Sequence, residues 1–243
     1  MLDPFVTRPT LLATGLRPLV PDATKIRRLL PLADDVLVGH AHHDHVLDAP
    51  ELCRQTGARL IGSRAVCNVG RAAGLPEEQL VETAGREPIR SGALVVRGLP
   101  SRHGKVYLGR VSLPGDIPEP PPWPPRVRDL RHGLVLSWHV QGEGFSLCHI
   151  DSADFLEEEL TDVTCDVLCL CAIGRRYRPN YVRDAVRLLR PRFVVACHWD
   201  WFFTPFEAPP LLLPGVDLPG FVAEIAGAGA TPVVLPFGGS FGL

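Results

Sequence analysis

The sequence predicts a mixed α/β fold in a single domain spanning residues 1–243. Short runs rich in β-branched and other apolar residues alternate with segments whose apolar residues recur at helical spacing. The chain has 243 residues, 46% of them hydrophobic, and a mean hydropathy of +0.11. This is enough to bury one large core, and no segment repeats another along the chain.

The predicted strands are apolar runs bounded by turn-forming or charged residues. They cover Val36–Val38, Arg59–Ile61, Ala93–Gly98, Leu134–Val140, Phe145–Ile150, Val167–Cys171, Phe193–Ala196 and Thr231–Leu235.

Helix starts are predicted at residues that can cap a first turn. Asp22, Asp48 and Ser63 each precede a helical pattern, and the segment after Ser63 stops at Gly74. Asn180 opens the clearest pattern, an apolar stripe at i, i+3, i+4 and i+7 that ends before Pro191.

A proline-rich segment, Pro114 to Pro125 ("PGDIPEPPPWPP"), interrupts this pattern. Its proline content excludes a helix or a central strand and predicts an extended loop. The favoured interpretation is a surface connection between two strands. The alternatives are a semi-rigid lid placing Trp123 over a pocket, or a docking segment for a proline-binding module.

Composition limits the partners and the compartment. The formal net charge of −2 gives no broad attraction to nucleic acid or to anionic membranes. No run approaches the roughly 20 apolar residues of a membrane span, and the N-terminus lacks a signal-peptide pattern. We therefore expect a cytoplasmic protein with a small-molecule substrate, no nucleic-acid partner and no stable membrane insertion.

The seven cysteines favour reduced, buried side chains over a disulfide framework, because they are odd in number and lie mostly in apolar runs. Cys169 and Cys171 are spaced to share one strand face and offer donors for a soft metal. With no second pair nearby, packing in the core is the favoured interpretation.

The stretch "GHAHHDHVLDAP" (39–50) holds four of the nine histidines and follows a predicted strand. In an extended chain, residues two apart project to the same side, so His40 and His42 can converge on one ion. Asp44 and His45 can face a second point where the chain turns toward the next helix. Imidazole and carboxylate suit zinc, and manganese and iron accept the same donors.

Three further candidate ligands follow apolar strands: His103, Asp151 and His198. Strand ends are where α/β folds gather their sites. Each residue alone is more simply a surface or packed side chain, but their shared placement favours a metal site.

The order His-x-His-x-Asp-His (His40, His42, Asp44, His45), then His103, Asp151 and His198, resembles the metallo-β-lactamase superfamily of hydrolases. Three segments look like those of one subgroup of this superfamily: "LVVRGLPSRHG", "GFSLCHIDSADF" and "LRPRFVVACHWDWFFTP". The subgroup includes ascorbate-phosphate lactonase and the phospholipase D that hydrolyses N-acyl phosphatidylethanolamines. The resemblance covers most of the chain and implies an αββα sandwich.

The resemblance implies two divalent metal ions. Zinc is the preferred assignment, and manganese or iron are the alternatives. It implies that His40, His42 and His103 bind one ion, that Asp44, His45 and His198 bind the other, and that Asp151 bridges them. Asp151 and Asp44 are then the catalytic carboxylates. His43 is expected to face solvent or to lie behind the ligands, and His149 to be a core histidine or to orient a ligand.

The chain departs from the family at its start. In the family, strands come before an Asp-Pro element, whereas here that element, "LDPF" (Leu2–Phe5), lies at the N-terminus. The usual first strands of the sandwich are therefore expected to be missing. An uncovered sheet edge favours aggregation, which predicts a homo-oligomer or a local substitute for those strands.

The implied chemistry is hydrolysis of a small ester, lactone or phosphoester. Two zinc ions sharing a water lower its pKa from about 15.7 to about 7, giving a bridging hydroxide as nucleophile. The alternatives are a mononuclear iron dioxygenase of the same fold and a non-catalytic metal-binding module.

Two groups of residues bear on the substrate. Trp199, Trp201, Phe202 and Phe203 follow His198 and either line an apolar pocket wall or pack in the core. Arg175, Arg176 and Arg178 either meet an anionic substrate group or, more simply, form a solvated loop. We expect a carbonyl ester or lactone in preference to a phosphoester.

Overall fold

The computed structural model describes residues 1–242, which form two compact units. The first contains residues 1–87, 113–136 and 202–208, and the second contains residues 88–112, 137–201 and those from Pro209 onward. The mixed α/β prediction is confirmed, whereas a single domain stays a prediction. Within residues 1–242, no helix is both long and apolar enough to cross a membrane.

The first unit contains a three-stranded parallel sheet and five helices. The strands are β1 (Asp35–Leu37), β2 (Arg59–Gly62) and β3 (Leu80–Glu82), in the order β1-β2-β3. The helices are α1 (Leu11–Leu16), α2 (Ala23–Leu29), α3 (His43–Val46), α4 (Ala49–Thr56) and α5 (Arg64–Ala72). The predictions missed β3, α1 and the single-turn α3.

Two of the predicted helix starts use their capping residues differently. The Asp22 side chain accepts a hydrogen bond from the Lys25 amide, as an N-cap should. Asp48 precedes α4 but makes no cap bond, because its carboxylate accepts from the Val6 and Thr7 amides, at 2.6 and 2.8 Å, and from the Thr7 hydroxyl. Burial raises the pKa of Asp48, and the bonds from Thr7 and Val6 oppose that rise.

The N-terminal residues cover the outer edge of β1. Leu2 forms a parallel bridge with Leu37, the Asp3 amide donates to the Leu37 carbonyl at 3.0 Å, and the Leu37 amide donates to the Met1 carbonyl at 2.9 Å. This pairing satisfies the backbone groups that an open edge would expose. The missing first strands and the homo-oligomer are not tested by this contact, and both stay predictions.

The second unit contains most of a seven-stranded mixed sheet and two helices. The strands are β4 (Pro88–Ser91), β5 (Leu94–Ser101), β6 (Val135–Gly142), β7 (Phe145–Ile150), β8 (Val167–Cys171), β9 (Phe193–Cys197) and β10 (Thr231–Val233). The helices are α6 (Tyr181–Leu189) and α7 (Leu218–Gly227). The sheet order is β10-β9-β8-β7-β6-β5-β4, with β7 to β10 parallel and β7 antiparallel to β6.

Helix α6 follows the predicted apolar stripe, because Val182, Ala185, Val186 and Leu189 are all buried. The predictions missed β4 and α7, both of which contain proline. Short 3-10 turns occur at Glu77–Gln79, Tyr107–Gly109, Val127–Asp129, Glu157–Glu159 and Arg175–Tyr177.

The proline-rich segment is a loop within the first unit, as its composition predicts. Trp123 is half-buried and packs against the apolar core of that unit, and Ile117 is buried in it. The Asn68 side chain donates to the Ile117 carbonyl at 2.9 Å. These contacts favour a fixed connection over a lid.

Candidate metal centre

The histidine cluster begins in the extended segment between β1 and α3. His40 and His42 are 1% and 5% exposed, and His40 Nε2 lies 3.0 Å from His42 Nδ1. The backbone of His42 is extended, with φ −69° and ψ 154°. Because residues two apart in an extended chain project to the same side, the rings of His40 and His42 lie on one side of the chain. The structure therefore brings these two predicted ligands together, with one ring nitrogen of each facing the other.

A backbone carbonyl orients the second ring of this pair. His42 Nε2 lies 3.4 Å from the Leu113 carbonyl oxygen, a long contact that favours a proton on Nε2 and leaves Nδ1 as the donor atom for a metal. His132, which the sequence analysis did not single out, lies beside it with 5.9 Å between the ring centroids. A histidine following an unassigned loop gives no periodic signal that would have identified it.

Asp44 and His45 lie on the single turn of α3. His45 Nε2 is 3.6 Å from Asp44 Oδ2, and the His40 and His45 ring centroids are 4.0 Å apart. His45 Nδ1 lies 3.2 Å from Asp3 Oδ2, while Asp3 Oδ1 accepts from the Gly39 amide at 2.8 Å. Asp3 therefore holds both His45 and the start of the cluster, a role that the sequence did not reveal.

The His43 ring packs against aromatic side chains. It is 7% exposed, its ring stacks on Phe203 at 6.1 Å, and it meets Phe5 edge-on at 5.9 Å. The prediction that it faces solvent is wrong. Its Nδ1 lies 3.5 Å from Asp44 Oδ1, which fits the other expectation, a residue behind the ligands.

In the second unit, the ends of three strands lie at the same edge of the sheet. The Ser137 hydroxyl near the start of β6 donates to the Ser101 hydroxyl at the end of β5, at 3.2 Å. Trp138 is paired with His149 near the end of β7, and β7 runs parallel to β8 and β9. The residues that follow β5, β7 and β9 therefore all lie at the same end of the strands.

His103 and Asp151 are in loops that touch. His103 Nδ1 lies 2.8 Å from the Gly104 carbonyl oxygen, so a neutral ring donating from Nδ1 carries its lone pair on Nε2. The Gly104 amide donates to the Ser152 hydroxyl at 2.9 Å. A Cβ on Gly104 would lie 2.8 Å from the Ala153 carbonyl carbon, so only glycine allows this approach.

Asp151 directly follows β7, and His198 directly follows β9. Asp151 is 3% exposed, and the half-buried His198 has a left-handed backbone with φ +53°, a conformation uncommon for a residue other than glycine. Burial first, and then the nearby Cys171 and Asp151, raise the pKa of Tyr181, which keeps its phenol neutral.

The three arginines are mostly engaged within the second unit. Arg175 pairs with Asp217 and Glu224, each at 3.2 Å, and Arg178 pairs with Glu157 at 3.1 Å. They line a cleft of 490 Å³ beside the start of α6. Arg176 stacks on its neighbour Tyr177.

The aromatic residues after His198 differ in what they contact. Phe202 and Phe203 pack on His43 within the first unit, and Trp199 stacks on Phe237 with 6.3 Å between their centroids in the second. All three are half-buried, and both the pocket-wall and the packing interpretation stay predictions.

The donor sets of both units suit a divalent metal. Each consists of imidazole and carboxylate groups, which bind zinc, manganese and iron. In the first unit His42 and His45 are buried, and a carbonyl or carboxylate oxygen lies within 3.4 Å of one nitrogen of each ring, an arrangement common around metal-binding histidines. The chain is thus an α/β protein whose candidate metal ligands are buried or half-buried and lie after its strands or on the single turn of α3.

Comparison with known proteins identifies the family. A model of the beta-lactamase superfamily domain matches residues 1–199. A UPF0173 metal-dependent hydrolase of Anaeromyxobacter dehalogenans is 31% identical over 83% of this chain and 68% of its own length. One of Methanopyrus kandleri is 26% identical over 73% of this chain and 70% of its own length.

Solved structures resemble the fold at lower identity. A metallo hydrolase of Ignicoccus hospitalis superposes with a TM-score of 0.61 and 19% identity, over 100% of this chain and 90% of that one. A diiron β-hydroxylase of Streptomyces venezuelae gives a TM-score of 0.53 and 14% identity, over 84% of this chain and 44% of that one. The chain belongs to the metallo-β-lactamase superfamily, in which its matched relatives are metal-dependent hydrolases.

Proposed function

We propose that this protein is a dinuclear metal-dependent hydrolase. One ion is held by His40, His42 and His103, the other by Asp44, His45 and His198, and Asp151 bridges the two. Zinc is the proposed metal, since imidazole and carboxylate are its usual catalytic ligands. The subgroup that includes the lactonase and the phospholipase stays a prediction.

The observation that most strongly supports this proposal is the paired geometry of His40 and His42. Two imidazoles buried from solvent, with Nε2 of one 3.0 Å from Nδ1 of the other, place two lone-pair atoms within reach of one ion. Asp44 and His45 offer a second donor pair one turn further on. The superfamily membership supports pairing this cluster with His103, Asp151 and His198.

When bound, the ions supply a water that ionises near neutral pH and an electrophile for the substrate oxygen. The residues of the chain prepare the site for this chemistry. Asp3 Oδ2 lies 3.2 Å from His45 Nδ1, and the Gly104 carbonyl oxygen lies 2.8 Å from His103 Nδ1, which leaves Nε2 of each ring for an ion. Asp151 is proposed to position the attacking water and to accept a hydrogen bond from it.

The proposed substrate is a small molecule. We propose a carbonyl ester or lactone in preference to a phosphoester. A formal net charge of −2 and the lack of a nucleic-acid-binding motif argue against a polynucleotide substrate. A cytoplasmic location and a homo-oligomer also stay predictions, the second testable by light scattering.

A hydrolytic substrate panel on zinc-reconstituted protein tests the function. We expect turnover of at least one ester, lactone or phosphodiester by the zinc-loaded protein, and its loss after metal removal by a chelator. Equal turnover by the stripped protein, or no turnover across the whole panel, would contradict the proposal.

Substitution of Gly104 tests how closely the loops of His103 and Asp151 must pack. The added methyl group of Gly104→Ala would lie 2.8 Å from the Ala153 backbone and must move one loop. A displacement of about 1 Å costs up to about 100-fold in rate, so we expect kcat/KM to fall by about 10- to 100-fold.

Gly227→Ala is the matched control, because a Cβ there meets nothing within 4 Å. It should leave kcat/KM unchanged. Equal activity of both variants would show that the approach of the two loops does not matter for catalysis.

An iron-dependent oxygenase is the second candidate, because the same histidine and carboxylate donors suit iron. The iron-loaded protein would then consume oxygen with a substrate that the zinc form leaves unchanged. Oxygen-electrode measurements on the two metal forms distinguish this candidate from hydrolysis.

A further inference from the structure

A second group of metal-binding side chains lies in the seven-stranded sheet, apart from the seven proposed ligands. It consists of His149 on β7, Cys169 on β8 and Cys197 on β9, whose donor atoms all lie within 4.8 Å of one another. The Cys169 thiol is hydrogen-bonded to both Cys197 and His149. All three residues belong to the second unit.

The strand register places these side chains on one face. His149 pairs directly with Cys169, and Cys169 pairs with Val195 on the next strand. Because residues two apart in a strand share a face, Cys197 lies on the same face as Val195 and Cys169. Three neighbouring parallel strands therefore each present one nitrogen or sulfur donor.

Two thiolates and one imidazole form a donor set typical of zinc. Bonds of about 2.3 Å to sulfur and about 2.0 Å to nitrogen place tetrahedral ligand atoms about 3.3–3.8 Å apart. The observed separations, all below 4.8 Å, need only small side-chain rotations to reach this spacing. Cys169 and Cys197 are half-buried rather than fully enclosed, which gives an ion access.

We propose that His149, Cys169 and Cys197 bind a third cation, Zn²⁺, with one further coordination position for water. This site ties β7, β8 and β9 together at the ends that lead into Asp151 and His198. It replaces the sequence-based interpretation of Cys169 as an apolar core residue, and Cys171 is not part of it. Its thiol donates to the Ile173 carbonyl at 3.6 Å, and it does not belong to the group of donor atoms within 4.8 Å of one another.

Cobalt substitution tests the proposal without relying on hydrolysis. Thiolate ligands give Co²⁺ a sulfur-to-metal charge-transfer band in the near ultraviolet, whereas none of the seven proposed hydrolase ligands contains sulfur. The metal-stripped, reduced protein is titrated with Co²⁺ alone and the band is recorded. The same titration is made for Cys169→Ala, Cys197→Ala and the control Cys148→Ala, a buried cysteine whose side chain points to the opposite face of β7.

We expect the band to appear during the titration and to saturate by about three equivalents of Co²⁺, because the protein is proposed to hold three ions. It should be displaced by Zn²⁺, disappear in Cys169→Ala and Cys197→Ala, and persist in Cys148→Ala. The wild-type result decides the matter if a variant does not fold by circular dichroism. A wild-type protein without the band, or a band that survives in either folded site variant, would overturn the proposal.

A failure of the substrate panel leaves this band unaffected, and loss of the band leaves the seven-residue centre untested. The two proposals can therefore fail separately.

Discussion

Asp151→Ala should lower kcat/KM by more than about 100-fold with little change in the fold. Loss of a group that merely orients a metal ligand costs about 10- to 100-fold, and Asp151 is proposed to contact both ions directly. Its side chain is 3% exposed at the end of β7, so removing it also removes a buried negative charge from the site. Steady-state kinetics on the zinc-loaded variant, with circular dichroism to verify folding, make the measurement.

Asp154→Ala is a suitable control, because Asp154 is a nearby carboxylate of the same loop that is not among the proposed ligands. It should retain activity within about tenfold of the wild type. Unchanged turnover in Asp151→Ala would refute the bridging role.

His42→Ala and His43→Ala should differ sharply although the residues are adjacent. His42 directs Nδ1 toward His40 Nε2 and is a proposed ligand, so its loss should lower metal affinity and kcat/KM by more than about 100-fold. His43 packs on Phe5 and Phe203, lies 3.5 Å from Asp44 and is not among the proposed ligands, so its loss should cost about tenfold or less in kcat/KM.

Stability should show a different pattern from activity. His43→Ala leaves a cavity among aromatic rings and should lower the free energy of unfolding by about 2–3 kcal/mol. Activity losses of equal size in the two variants, measured on zinc-loaded and folded protein, would show that the roles within the cluster are wrongly assigned.

The sequence predicted most of the strands because their signals are local. Runs such as Val167–Cys171 and Phe193–Cys197 are dense in β-branched and apolar residues, which favour strands wherever they are packed. The spacing of His40 and His42 likewise predicted their convergence, because side-chain direction in an extended chain depends only on position.

The missed features depend on contacts between distant residues. Asp3 contacts His45, and Asp48 binds the Thr7 amide, across separations of about 40 residues that no local pattern encodes. Helix α7, by contrast, was missed although it has a local start signal: Asp217 accepts from the Gly220 amide, and Pro219 lies in the first turn, where proline is tolerated. The proximity of Cys169 and Cys197 could not be predicted without the strand order, because 27 residues, including helix α6, lie between them.

An anomalous difference map from zinc-loaded crystals, recorded on both sides of the zinc absorption edge, tests the central proposal most directly. The proposal predicts two peaks. One is contacted by His40, His42 and His103, the other by Asp44, His45 and His198, and Asp151 touches both. Crystals with verified zinc content but no peak beside these side chains would contradict it.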